Sequence, residues 1–214
     1  MRLGLFGGTF NPIHIGHLRA AVEVWEAFRL DKVLLIPSAH PPHKDVGEVA
    51  GAEDRLAMVR LAVNEVPFLE ASDVELNRHG PSYTIETLKH FRSRLPDGSA
   101  LYFILGVDAF SEITTWKSYT QLFAVADFIV MTRPKAAIKD LESFINEHIS
   151  GAYRYNEASR DFSHPELCRI HPFDITHLDI SATDTRERIR QGRSIRFLVP
   201  NAVEALIKTK GLYR

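Results

Sequence analysis

The sequence predicts an α/β fold: a Rossmann-like, doubly wound, mainly parallel sheet with helices on both faces. Two patterns carry this. Short apolar runs alternate with longer amphipathic segments, the order that βαβ units leave in a chain. The strongest runs, K-V-L-L-I-P, A-L-Y-F-I-L and D-F-I-V-M-T, are apolar throughout, as strands covered on both faces must be. Right-handed crossovers then place a ligand at the carboxyl ends of the strands.

Residues 2–6 form the first predicted strand, and a glycine-rich turn follows it. A helix comes next over about 17–28, where Leu18, Ala21, Val22, Trp25 and Phe28 recur at helical spacing. Residues 32–37 read as a buried strand closed by proline. Residues 38–52 read as a polar loop, because A-H-P-P-H-K is too rich in proline for regular structure. The next segment, from Ala52, sets Leu56, Val59 and Val63 on one helical face. Residues 68–76 have room for one or two short strands, and 84–95 form a helix capped by Ser82 or Thr84. Residues 100–105 make the best central strand, followed by Gly106-Val107-Asp108. Residues 127–132 make another. The pattern weakens over 135–165, where a helix at 138–149 precedes a polar stretch read as a surface insertion. Short strands at 168–173 and 178–180 and helices at 183–191 and 201–208 close the chain, the last opened by Pro200. One domain spanning 1–214, with a C-terminal helical part at 183–214, is expected.

Composition narrows the function. The 214 residues are 45% hydrophobic and 25% charged, and a chain of this length buries roughly 70% of its unfolded surface without a disulfide or metal staple. The net charge of −1 leaves no global field for nucleic acid or an anionic membrane, so anion binding has to be local. A single cysteine, Cys168, fits a reducing compartment. Gly, Thr, Asn and Pro interrupt the N-terminal apolar run before a signal-peptide core is complete, and no run nears the ~20 residues of a span. A cytoplasmic protein is expected.

The richest segment is G-G-T-F-N-P-I-H-I-G-H, residues 7–17, between the first strand and the first helix. Gly7 and Gly8 allow close backbone approach, and a helix start offers free N–H groups and a positive dipole end to phosphate. His14 and His17, three residues apart, can point the same way and donate to phosphate oxygens. Taken alone, a Gly-Gly turn is more often structural punctuation than a ligand cradle. Zinc binding by the two histidines lacks a third ligand at metal spacing, so no metal site is assigned. Neither common phosphate loop is present.

This segment resembles the signature of the nucleotidyltransferase superfamily that carries an H-x-G-H element, and the chain as a whole is similar to the bacterial nicotinate-nucleotide adenylyltransferase family. The resemblance includes P-P-H-K at 41–44, P-S-Y-T at 81–84, I-L-G-V-D-A-F at 104–110, Trp116, R-P at 133–134, I-S-A-T-D-T-R at 180–186 and L-V-P…K-G-L-Y at the end. It implies a nucleotidyltransferase fold and adenylyl transfer from ATP to nicotinate mononucleotide, giving deamido-NAD and pyrophosphate. Such a reaction needs no general base, because the acceptor phosphate is already an anion; it needs donors and cations that align two repelling phosphates.

The resemblance further implies that His14, His17, Lys44 and Arg186 are catalytic, with His17 stabilising the transition state and Arg186 holding the β- and γ-phosphates. It gives ATP contacts to Gly7, Gly8, Thr9, Phe10, Gly16, Gly106, Asp108, Ser181 and Thr183. Thr84, Trp116, Asp108 and Lys44 go to nicotinate mononucleotide, Trp116 as a flat partner for the pyridine ring and Thr84 as a receiver of its carboxylate. Mg2+ would arrive with ATP rather than sit in a protein cage. Locally, Asp108 reads equally well as a helix cap and Trp116 as a core aromatic, and Lys44 by itself reads as a solvated loop residue. The sequence departs from the family pattern at Ala182 (usually serine), Thr185 (usually aliphatic) and Lys117 (commonly aromatic).

Another phosphorylated acceptor, such as nicotinamide mononucleotide or phosphopantetheine, is the first alternative. A nucleotide-binding regulator without turnover is the second, opposed by the intact set of cations. A dehydrogenase is disfavoured because the dinucleotide fingerprint is missing. Homo-oligomerisation is left open.

Overall fold

The computed structural model describes residues 1–39, 49–78, 80–132 and 138–214. The strands are β1 (Arg2–Gly8), β2 (Lys32–Pro37), β3 (Leu69–Ala71), β4 (Ala100–Gly106), β5 (Asp127–Thr132), β6 (Arg154–Asn156), β7 (Asp161–Ser163) and β8 (Ile170–Asp174). The helices are α1 (Ile15–Ala27), α2 (Ala52–Val63), α3 (Thr84–Arg92), α4 (Val107–Ser111), α5 (Tyr119–Leu122), α6 (Ile138–His148), α7 (Ala182–Arg190) and α8 (Asn201–Lys210). They build one sheet in the order β3-β2-β1-β4-β5-β8-β7-β6. The first six strands are parallel, and β7 and β6 join antiparallel.

The two-sided burial inferred from the apolar runs is visible residue by residue. In β4, Leu101, Phe103 and Leu105 enter one core while Tyr102 and Ile104 enter the other; in β5, Phe128 and Val130 oppose Ile129 and Met131. A strand with both faces covered favours apolar side chains, and each one buried contributes roughly 1.5–3 kcal/mol. Leu56, Val59 and Val63 all lie on the buried face of α2.

Four details differ from the sequence reading. The first strand continues through Gly7 and Gly8, which stand in register with Ile36 and Pro37, so the glycines end a strand rather than form a turn. Residues 178–180 form no strand, because Ile180 N–H turns back onto the Leu178 carbonyl at 2.8 Å and is lost to any ladder. Neither Ser82 nor Thr84 caps α3: its N-cap is Tyr83, and Ser82 Oγ accepts from Ala39 N–H at 2.9 Å instead. The polar stretch after α6 contains the β6–β7 hairpin. Fully buried Tyr153 and Phe162 anchor it, and Asn156 Oδ1 accepts from Ala158 and Ser159 N–H across the turn. Three-residue strands with a polar tip carry too little periodicity to be read from sequence. No helix among the described residues is long and apolar enough to cross a membrane.

Candidate active site

At the carboxyl edge of β1 the chain turns into α1, and His14 is the helix cap. Its φ of −140° and ψ of 170° are extended, and its Nδ1 accepts from His17 N–H at 3.4 Å. His17 Nδ1 in turn accepts from His14 N–H at 3.3 Å. This reciprocal arrangement is a capping box built from two imidazoles. The rings stack with centroids 3.6 Å apart and planes 24° from parallel. With Nδ1 accepting, the proton of each imidazole is placed on Nε2, where it can donate.

Burial keeps His14 neutral. It is only 7% exposed, and desolvation pushes its pKa from 6.5 down to about 4. The unfolded chain therefore binds a proton near pH 6.5 that the folded chain refuses until about pH 4, so His14 favours folding above pH 6.5 and this contribution is lost as pH falls through that window. Urea unfolding should show less stability at pH 5 than at pH 7, by an amount that shrinks in His14→Gln; an equal loss in both proteins would remove His14 as its source.

Glycine at position 16 has a packing reason. A Cβ there would lie 3.1 Å from His14 Nδ1 and 3.2 Å from Cε1, pressing on the ring that forms the box. At Gly7 a Cβ would meet the Phe103 ring at 3.1 Å, and at Gly8 the Phe10 ring at 3.0 Å, so both provide room under the loop. Phe10 is itself 2% exposed, and its ring supports His17 edge-on at 5.1 Å. Its side chain is occupied by packing, which leaves only its backbone to face a ligand. Gly106 differs: nothing lies within 4 Å of its would-be Cβ, so a side chain would project into open space beside the imidazoles.

That space is a cleft lined by His14, Gly16, His17, Gly106 and Asp108, with the segment from Ile175 to Ile180 as its far wall. Glu23 of α1 holds that wall by accepting from Thr176 N–H at 2.8 Å. Among the first amides of α1, Ile15 N–H donates to the Leu198 carbonyl and His17 N–H to His14; Gly16 N–H sits at the helix end bordering the cleft. Asp108 is exposed in the first turn of α4, whose N-cap is Gly106, so the cap reading of Asp108 is corrected. A neighbouring hollow beside Ile138, Leu141 and Phe144 shares Val107 and Thr132 with the cleft, and among the described residues no imidazole lines it.

Ser181 caps α7 by accepting from Asp184 N–H at 3.0 Å, next to the cleft wall. Thr183 Oγ1 accepts from Arg186 Nη2 at 3.4 Å. Arg186 is 7% exposed, and its Nη1 donates to the Asn11 carbonyl at 2.9 Å, so it joins α7 to the loop after β1. Thr9 carries its carbonyl toward Arg55 at 2.9 Å. Thr185, in place of an aliphatic residue, is fully buried, and its hydroxyl donates to the Ser181 carbonyl at 2.8 Å. The departure is thus satisfied within the helix.

Thr84 and Trp116 lie across the sheet. Thr84 opens α3, and half-buried Trp116 packs edge-to-face on Phe103 at 6.1 Å, in the core opposite the His17 side. Lys117 places its ammonium 4.3 Å over the Tyr83 ring and 3.3 Å from Glu86 Oε1, beside the start of α3. Lys44 lies outside the described residues, as do the P-P-H-K and R-P segments.

A family model described as cytidylyltransferase-like matches residues 5–188. The chain belongs to the cytidylyltransferase-like family. A protein of Desulfatibacillum aliphaticivorans named "Probable nicotinate-nucleotide adenylyltransferase" is 52% identical over all of both chains. A protein of the same name from Citrifermentans bemidjiense is 44% identical, covering 100% of this chain and 98% of its own. In fold, the chain matches a nicotinic acid mononucleotide adenylyltransferase of Plasmodium falciparum complexed with NaAD, with a TM-score of 0.74 and 17% identity over 99% of this chain and 97% of that one. The doubly wound sheet and its H-x-G-H junction are accordingly those of a cytidylyltransferase-like protein. What the sequence did not disclose in this family member is the wall from Ile175 to Ile180 and the buried Asn11 and Arg55 behind the loop. Asn11 and Arg55 bond to backbone groups distant in sequence, and only the fold brings them together.

Proposed function

We propose that this chain transfers the adenylyl group of ATP to nicotinate mononucleotide, releasing pyrophosphate and forming deamido-NAD, in the cytoplasm. The observation that carries the chemistry is the capped His14–His17 pair: two stacked imidazoles whose Nδ1 atoms accept from backbone N–H at a helix start, on the carboxyl edge of a parallel sheet. The acceptor is supported by the full-length relatives that bear that name.

In this reading the acceptor phosphate attacks the α-phosphorus of ATP in line. A P–O bond forms to the acceptor, the bond from the α-phosphorus to the bridging oxygen breaks, and that electron pair leaves with pyrophosphate. No proton is removed to create the nucleophile. His17 donates to the α-phosphate oxygens as charge grows on them, and His14 donates alongside while holding His17 in place. Arg186 and Lys44 offset the charge of the leaving β- and γ-phosphates. Ser181 and Thr183 offer hydroxyls there, and Gly106 lets the backbone approach the nucleotide.

Magnesium fits as a companion of the triphosphate. It keeps several waters and takes one or two carboxylates, and Asp108 is a carboxylate bordering the cleft. When bound, it supplies further charge neutralisation on the phosphates.

The acceptor would sit at Thr84 and Trp116, so attack crosses the ends of β1 and β4. Trp116→Ala should raise the acceptor KM about tenfold, the scale of a lost stacking contact, with the ATP KM within twofold. An equal rise in both would mean collapse of the Phe103 packing instead. The reading as a whole is tested by pyrophosphate release with nicotinate mononucleotide, nicotinamide mononucleotide and phosphopantetheine in parallel. The first should give the highest kcat/KM; preference for phosphopantetheine would overturn it.

A further inference from the structure

Behind the loop that follows β1 lies a buried cation that the proposed reaction does not use directly. Arg55, in the first turn of α2, is 1% exposed. Its guanidinium donates three times, always to backbone carbonyls: Nη1 to Thr9 at 2.9 Å, Nε to Ala50 at 2.9 Å and Nη2 to Ala39 at 3.2 Å. Among the described residues no carboxylate lies within ion-pair distance of it; Glu75 and the Tyr213 phenol act on it only through space. Burying a full charge is costly, and an apolar side chain of similar volume usually fills such a position at least as well for stability. A site that keeps arginine there, paired with carbonyls rather than neutralised, retains its positive field.

The carbonyls are the informative part. In the trans peptide joining Thr9 to Phe10, the C=O and N–H point in opposite directions. With Thr9 O drawn to Arg55, the Phe10 N–H is turned to the other side of the loop and polarised by the charge behind it. The same support reaches the second arginine. Ala50, whose carbonyl Arg55 holds, donates its N–H to Asn11 Oδ1 at 3.0 Å, and the Asn11 carbonyl receives Arg186 Nη1 at 2.9 Å. Arg55 and Arg186 thus grip the 9–11 backbone from two elements far apart in sequence.

We propose that Arg55 is a positioning residue for adenylyl transfer: it fixes the Thr9–Phe10 peptide and, through Ala50 and Asn11, the seat of Arg186, and it supplies a standing positive charge behind the nucleotide loop. This deepens the reading above and rests on it in taking ATP as the donor, Arg186 as a phosphate contact and Thr84 and Trp116 as the acceptor side. The acceptor side, at Thr84 and Trp116, lies across the sheet and should not feel the change.

The test is steady-state kinetics and thermal unfolding of Arg55→Met and Arg55→Lys beside the parent protein. Arg55→Met should raise the ATP KM about tenfold and lower kcat by a similar factor, the scale of a lost hydrogen bond to a charged group, while the acceptor KM stays within twofold. Arg55→Lys keeps the charge but not the fork, so the ATP KM should fall between the two. A folded Arg55→Met whose kcat and ATP KM stay within twofold of the parent would overturn the proposal. So would equal rises in both KM values, the mark of a merely structural role. Should Arg55→Met not fold, Arg55→Lys decides: an unchanged ATP KM overturns the proposal. A parent protein that turns over ATP with a different acceptor would defeat the nicotinate reading and leave this test intact.

Discussion

His17→Ala should lower kcat by a factor of about a hundred or more while leaving the fold intact, because in the proposed reaction it removes a donor aimed at charge that grows only in the transition state. The fold tolerates the change for a local reason. His17 is half-buried at the end of α1, and its neighbours Phe6 and Phe10 remain packed on the buried Ile13 and Ala20 without it. Its loss does free His14 N–H from one partner, which a nearby water can replace. His17→Asn keeps a donor of shorter reach and should recover part of the rate. Rapid-quench measurement of adenylyl transfer separates chemistry from product release. An unchanged chemical step in His17→Ala would remove this imidazole from the mechanism.

Arg186→Leu should reduce kcat/KM for ATP about a hundredfold, since one substitution removes two things. In the proposed reaction it deletes a cation that balances the departing pyrophosphate, and it leaves the buried Asn11 carbonyl without the donor that ties α7 to the loop. Arg188 and Arg190 do not substitute for it: Arg188 pairs with Asp184 at 2.6 Å and Arg190 with Glu187 at 3.6 Å on the outer face of α7. Their replacement by glutamine should change kcat/KM by less than threefold, given the small worth of exposed ion pairs. A folded Arg186→Leu protein within threefold of the parent would refute the assignment.

Which parts of this account were legible in the sequence follows from where the information resides. β2 and β5 were readable to the residue, because a strand covered on both faces is a continuous apolar run with abrupt ends. α2 was readable because its buried stripe repeats at the helical period. The imidazole pair was legible because side-chain chemistry and spacing coincide in one short segment. The resemblance selected Arg186 from three arginines on one helix, and the structure separates them by burial.

The remainder depends on backbone atoms or distant chain. Residues 175–180 line the cleft through an irregular path that no periodicity marks. Ser82 looks like a helix cap and instead serves Ala39, because Ala39 follows the neighbouring strand β2 in space. Gly7 and Gly8 look like a turn and instead leave space for Phe103 and Phe10, which only the pairing of β1 with its neighbours reveals.

A crystal structure with deamido-NAD bound tests the central claim most directly, since that product carries both phosphates of the new bond. The account predicts pyrophosphate oxygens within about 3.2 Å of Nε2 of both His14 and His17, with the adenosine end against residues 175–180 and the pyridine end beside Trp116. A dinucleotide seated in the hollow beside Ile138 and Phe144, with the two imidazoles touching only protein, would contradict it.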